Sequence, residues 1–229
     1  MIKDPPVLRL RRNFPRPPAD IVAALTGAST GHLVDCMNGG GALDWRIKPL
    51  AAYPSGICGV AVTCDAGPGD NLALFAALDV AKPGDVVAVA TQGFLGAAIL
   101  GDLLAGMARN CGIGAIVIDG SVRDVAGILA TGFPVYCAGV TPNSGVRNGP
   151  GSVGQPIVMG GVAIAPGDII VGDGDGVVVV PQGMAARVVE ALESVRKAEA
   201  ALEAQVKSGL RLPEFVKSIL ASGRVEEIP

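Results

Sequence analysis

The chain is 229 residues long, half of them hydrophobic and only 17% charged, which excludes disorder as the bulk state and leaves ample material for a buried core. A formal net charge of −3, from 18 basic and 21 acidic residues, argues against nucleic acid as the main partner. The 33 glycines and 17 prolines follow no Gly-X-Y period and so mark tight turns rather than collagen, and five cysteines without a CxxC pair speak for reduced thiols rather than a disulfide framework or structural zinc.

Residues 1–18 read as an extended arm in which Arg9, Arg11, Arg12 and Arg16 stand among prolines, a strap across a neighbouring subunit or into solvent. It lacks the apolar core of a secretory signal, and a cytoplasmic location is expected. A short helix is predicted over 19–27. A second runs through His32, Leu33 and Cys36, capped by Ser29 or Thr30 and ended by Gly39, Gly40 and Gly41. Gly59 to Cys64 reads as a strand, Pro68 to Asn71 (PGDN) as a turn, and Leu72 to Ala81 as a helix. The tripeptide PGD returns at 83–85 and 166–168, each time opening an apolar β-branched run, Val86 to Val89 and Ile169 to Val171. Pro-Gly supplies the central pair of a type II turn, with Gly at positive φ. From Val86 the chain alternates strand and helix: Val86 to Ala90, Leu103 to Asn110, Ala115 to Ile118, Asp124 to Ala130, Val135 to Ala138. That rhythm predicts a mixed α/β fold. Val177 to Val180 is a further strand. Met184 to Lys207 is a long helix dense in Ala and Glu, read as exposed or subunit-bridging, and Pro213 to Ala221 is a shorter one. Asp102 interrupts the apolar segment from Phe94 to Met107, so no membrane-spanning helix is expected. The chain divides into an arm (1–18), a main domain (19–183) and a helical extension (184–229).

No GxGxxG stands in a strand–helix context and no P-loop is present, and the single histidine, His32, rules out a metal site built on two or three histidines. A metal would be held by carboxylates and water, which favours Mg²⁺ or Mn²⁺. The strongest constellation is GDLLAG followed by IVIDGSVRD. Asp102 stands at the start of one helix, and Arg123 and Asp124 follow a strand at the start of the next. Free N–H groups at helix starts suit a substrate carboxylate. Asp124 suits a divalent cation, Arg123 a developing enolate oxygen, and Asp102 a bound water or a proton shuttle. Together these are what carbon–carbon cleavage beside a 2-oxo acid needs. The plainer alternative is two N-caps and a surface ion pair, and spacing alone leaves open whether the two helix starts face each other. A Schiff-base lysine is the rival route to an enolate. Of the six lysines none lies in an apolar strand, and Lys48 is the only tolerable candidate.

The stretch GDLLAGMARNCGIGAIVIDGSVRDVAGI, followed by GFPVYCAGVTP, resembles the RraA-like family, with IKPL, PGDN, GGVAIAPGD and DGVVVVP falling in order between Ser29 and Pro181. The resemblance implies a layered α-β-β-α sandwich, akin to swivelling domains, with a long C-terminal helical extension. It implies a class II (metal-dependent) pyruvate aldolase acting on 4-hydroxy-4-methyl-2-oxoglutarate or 4-carboxy-4-hydroxy-2-oxoadipate, with oxaloacetate decarboxylation through the same enolate. Asp124 then matches the aspartate that binds Mg²⁺ or Mn²⁺. Arg123 matches the arginine on the keto oxygen, and Asp102 the aspartate that holds the protonating water. The N–H groups of Leu103 and Leu104 match those that hold the pyruvate carboxylate. Gly101 and Asn71 complete the substrate-binding set, Asn71 having a structural alternative. A glutamate from the neighbouring subunit of a homotrimer or homohexamer is expected near the metal, Glu199 or else Glu203. Neither nucleic acid nor membrane is expected as a partner. The family also holds non-catalytic regulators of an RNA-degrading endonuclease, which lack the aspartate after the arginine. The segment after Lys207 and the loop from Gly39 to Trp45 depart from the aldolase pattern, leaving the second half of the substrate open.

Overall fold

Strands without an exposed face set the centre of the fold. The computed structural model describes residues 6–228. In it β3 (Ile57–Asp65), β4 (Val86–Ala90), β6 (Ala115–Ile118) and β8 (Val135–Cys137) lie parallel in that order. All five residues of β4, VVAVA, are buried. A strand covered on both sides reads as an unbroken apolar run rather than an alternating one.

On one face Val62, Val87, Val89, Ile116 and Ile118 pack with Leu74, Leu104 and Ile128. Those three come from α3 (Leu72–Val80), α4 (Asp102–Asn110) and α5 (Val125–Thr131). On the other face Ala61, Val86, Ala88 and Val117 meet a second layer of strands. This layer is β13 (Ile169–Gly172) with β14 (Val177–Val180), and the hairpin of β11 (Ile157–Met159) with β12 (Val162–Ile164). Strand period 2 divides its residues. Ile170, Val177 and Val179 face the central strands, while Ile169, Val171, Val178 and Val180 face outward. The outward set is covered by α1 (Ala19–Leu25), α2 (Thr30–Cys36) and the start of α6 (Ala185–Lys207). Four layers result, helix, strand, strand and helix, as the resemblance implied.

β3 joins the two strand layers. Its residues Ile57 to Val60 pair antiparallel with β13, and Ala61 to Asp65 pair parallel with β4. Gly59 sits at the crossing, where any β-carbon would run into the Gly84 carbonyl oxygen. Short strands complete the edges. β1 (Leu8–Leu10) runs parallel to β10 (Gly151–Val153), which pairs with the end of β3. β2 (Lys48–Pro49) pairs with β8. A separate parallel sheet orders β5 (Ala98–Leu100), β7 (Ser121–Val122) and β9 (Gly139–Val140).

The described part of the arm, from residue 6, lies along its own chain; residues 1–5 fall outside the described residues. β1 extends the sheet, Arg12 pairs with Asp79 at 2.6 Å, and Arg16 pairs with the buried Asp85. α2 is capped differently from expectation. Ser29 makes no side-chain cap bond, and Asp173 instead accepts from the Thr30 N–H and hydroxyl, each at 2.8 Å. The two later PGD turns share one device. Asp85 accepts from the Lys82 N–H at 2.7 Å, and Asp168 from the Ala165 N–H at 2.8 Å. Gly84 and Gly167 hold the positive φ that the turn requires. Beyond Leu192 no residue of α6 is buried, and α7 (Glu214–Leu220) has none. Among the described residues no helix is long and apolar enough to cross a membrane.

Candidate active site

The small parallel sheet brings the two helix starts together. Ala98 pairs with Ser121 and Leu100 with Val122, and the Arg123 N–H donates to the Leu100 carbonyl at 2.9 Å. The chain leaving β5 into α4 therefore runs beside the chain leaving β7 into α5. Gly101, Asp102, Leu103, Leu104, Arg123, Asp124 and Asn71 all line one cavity of about 240 Å³.

Asp124 occupies the cap position of α5 with φ 55° and ψ 41°, in the left-handed region. Non-glycine residues rarely adopt this geometry, and aspartate is among those that tolerate it. Its carbonyl accepts the Ile128 N–H at 2.9 Å, but its carboxylate makes no cap bond. The carboxylate instead faces Arg123, whose Nε lies 3.2 Å from Oδ2. Gly101 makes room for the pair: a β-carbon there would lie 2.6 Å from Asp124 Oδ2 and 3.4 Å from Arg123 Cγ. The Arg123 guanidinium also donates to the Ser144 hydroxyl.

Asp102 opens α4 and lies against α5, since a β-carbon on Gly127 would be 2.6 Å from Asp102 Cβ. Its Oδ1 accepts from the Leu103 N–H at 2.7 Å. The Leu104 N–H, in the first turn, has no acceptor within the helix. A substrate carboxylate using both donors would displace Asp102 from Leu103. Leu104 is buried, while Leu103 is 77% exposed beside the cavity. Asn71 precedes α3; its amide donates to the Ile99 carbonyl at 3.3 Å, and its Oδ1 is buried without a partner among the described residues. A buried acceptor without a donor costs roughly 1–3 kcal/mol, so such atoms in native proteins commonly serve a ligand or water.

Glu199 is not brought to Asp124 within one protomer. It sits on the exposed half of α6, where its carboxylate pairs with His32 of α2, and it does not line the cavity. Glu203 pairs with Lys207 at 2.5 Å. Among the described residues no lysine lines the cavity, and Lys48 donates to the Asp175 carbonyl. Sequence reasoning missed Ser144 and Arg147, which reach the cavity from the polar loop after β9. Nothing in the pattern NSGVRNGP placed that loop; its bridges to Asp70 and Ala98, and the bonds from its N–H groups to the Asp70 carboxylate, do.

Among the described residues no three His, Cys, Asp or Glu side chains converge as a metal cage. The donor set is one half-exposed carboxylate in an open cavity of mixed apolar and charged lining. Mg²⁺ fits such a set, because it retains several waters and takes one or two carboxylates plus substrate oxygens, and Mn²⁺ accepts the same oxygen ligands. A second cavity of about 280 Å³ lies at the ends of β4, β6 and β8. Its charged groups are already engaged. Asp119 accepts from Thr91 and Gly93, and Arg46 is paired with Asp44.

The sequence profile of RraA-like proteins (Aldolase/RraA) matches residues 30–179. A protein of Halalkalibacterium halodurans, described as a candidate 4-hydroxy-4-methyl-2-oxoglutarate aldolase, is 38% identical over 189 residues, 82% of this chain and 88% of the relative. Among solved structures, Streptomyces coelicolor RraAS2, described as an unusual member of the RNase ES inhibitor RraA family, superposes with a TM-score of 0.75 at 28% identity, covering 83% of this chain and all of the other. The RNA-processing inhibitor RraA of Thermus thermophilus gives 0.61 at 28% identity over 67% and 93%.

Proposed function

Because the chain belongs to the RraA-like family, we propose that it is a divalent-metal-dependent lyase that cleaves a 4-hydroxy-2-oxo acid to pyruvate and a second keto acid. The family's fold serves proteins described as aldolases and as inhibitors of RNA processing. The observation that favours the lyase is the meeting of Arg123, Asp124, Asp102 and an open helix start on one cavity.

Each residue has a task in this reading. The N–H groups of Leu103 and Leu104 hold the C1 carboxylate at the start of α4. Arg123 points its guanidinium at the C2 keto oxygen and balances the negative charge that grows there as the C3–C4 bond breaks. A Mg²⁺ or Mn²⁺ held by Asp124 and water would act as a Lewis acid on the 2-oxo acid end. Water or another base takes the proton of the C4 hydroxyl, and water held by Asp102 returns a proton to C3 of the enolate. Oxaloacetate decarboxylation would use the same enolate and the same residues. The substrates proposed are 4-hydroxy-4-methyl-2-oxoglutarate and 4-carboxy-4-hydroxy-2-oxoadipate. The working form is a homotrimer or homohexamer in which Glu199 of one subunit reaches a neighbour's site. Exposed Leu103, Met107 and Val140 near the cavity favour such a contact.

Pyruvate release from these two acids and from oxaloacetate, with Mg²⁺ and then with EDTA, tests the proposal. Release is expected with the metal, and EDTA or Asp124→Ala should each lower it at least about a hundredfold. Full turnover by Asp124→Ala would contradict it. A second reading, a protein-binding regulator of an RNA-degrading endonuclease, is favoured by the likeness to the two RraA structures. Such a regulator would inhibit the endonuclease as well after Asp124→Ala as before.

A further inference from the structure

Two guanidinium groups line the candidate cavity, and only one of them is committed. Arg123 lies against Asp124 and the Ser144 hydroxyl. Arg147 has no carboxylate or carbonyl partner among the described residues; its guanidinium lies over the Phe75 ring, 5.4 Å from the centroid. Such stacking restrains the plane of the group and leaves its N–H edges open to a planar anion.

The backbone that carries Arg147 is anchored on both sides. The buried carboxylate of Asp70 accepts from the Asn148 N–H at 2.6 Å and the Gly149 N–H at 2.9 Å. The Val146 N–H donates to the Gly69 carbonyl at 2.8 Å, and the Asn71 N–H to the Val146 carbonyl at 3.0 Å. The PGDN turn thus fixes the origin of the Arg147 side chain as well as that of Asn71.

Charge points to the class of ligand. In the cavity the carboxylates of Asp102 and Asp124 cancel the guanidiniums of Arg123 and Arg147, and a divalent cation would leave two positive charges. A 2-oxo acid with one carboxylate neutralises half of that excess, and one with two neutralises all of it. The cavity, at about 240 Å³, is smaller than the ~300–1,000 Å³ of drug-sized sites, which suits a small acid. We propose that Arg147 is the residue that pairs with the distal carboxylate of the proposed substrates and sets the site's preference for 2-oxo acids that carry one. This rests on the lyase reading for what occupies the cavity, and the pairing is charge-assisted and bidentate in kind.

The test compares two acids that differ only at the far end. 4-Hydroxy-2-oxoglutarate carries a carboxylate where 4-hydroxy-2-oxopentanoate carries a methyl group. Wild type should prefer the dicarboxylate in kcat/KM, and Arg147→Met should lower that preference about 10- to 100-fold, the range expected for a charged hydrogen bond. Arg147→Lys should keep an intermediate preference, and Arg147→Gln replaces Arg147→Met if the latter does not fold. Calorimetric binding of 2-oxoglutarate against 2-oxopentanoate in Mg²⁺ buffer gives a readout without turnover, and the ratio of dissociation constants should fall in parallel. A preference unchanged in Arg147→Met, or absent from wild type in both assays, overturns the assignment. Selective, Arg147-dependent binding without turnover of either acid would sink the lyase reading and keep the carboxylate assignment. Turnover of both acids without preference would do the reverse.

Discussion

Asp124 departs from local preference at the point where the chemistry is proposed. A left-handed aspartate costs on the order of 1 kcal/mol or more and persists only where its surroundings hold it. Here the surroundings include the missing side chain of Gly101, since a β-carbon at that position would press on the carboxylate. Gly101→Ala should therefore displace Asp124 and Arg123 while leaving the core intact. Because misplacement by about 1 Å can cost a hundredfold, we expect kcat/KM for pyruvate release to fall by roughly that factor, with a thermal midpoint within a few degrees of wild type. A variant with normal turnover would show that the close approach at Gly101 does not govern the site. The residue types at 102, 123 and 124 were legible in the sequence because their chemistry is local to two short motifs. Ser144 and Arg147 were not, because a loop's reach depends on tertiary bonds such as those of Asp70.

Among the elements, the long and fully buried strands were the legible ones. Val86 to Ala90 and Ala115 to Ile118 announce themselves by continuous apolar runs. The strands of β5, β7 and β9, two or three residues each, carry no periodicity, yet the pairing of β5 with β7 sets the starts of α4 and α5 side by side. Helix capping shows the same division, since α2 takes its cap from Asp173, 143 residues away. Burial raises the Asp173 pKa, but hydrogen bonds from Thr30, Asp175 and Gly176 outweigh it and hold the carboxyl below its ordinary 3.8. A carboxyl with a lowered native pKa adds stability above its ordinary value and loses it as pH falls through the native one. Asp173→Asn should thus cost about 1–2 kcal/mol at pH 7 by denaturant unfolding. The gap to wild type should narrow as pH is taken below 3.8. A gap that stays constant would mean that the charge of Asp173 is not what caps α2.

At the scale of the molecule, the arm is part of the fold. Arg16 pairs with Asp85, whose carboxyl is buried, and burial raises its pKa against the lowering effect of the Lys82 N–H and Arg16. Removing one partner of a buried pair costs about 3–5 kcal/mol, so Arg16→Ala should destabilise strongly, and a loss under about 1 kcal/mol would return the arm to the surface role expected from sequence. The exposed half of α6 is the other feature that one protomer does not explain. If Glu199 serves a neighbour's site, then Asp124→Ala and Glu199→Gln, each impaired alone, should complement when coexpressed, restoring about a quarter of sites by random assembly of a symmetric ring. Absence of complementation, with mixed oligomers demonstrated, would confine Glu199 to its pair with His32. On the proposed function, this site stabilises the enolate of pyruvate, whatever the second half of the substrate. The most direct measurement is exchange of the pyruvate methyl protons for deuterium in D₂O, followed by proton NMR with Mg²⁺ present. Enzyme-dependent loss of the methyl signal is expected, abolished by EDTA and by Asp124→Ala. Exchange no faster than in buffer, from folded protein with metal present, would contradict it.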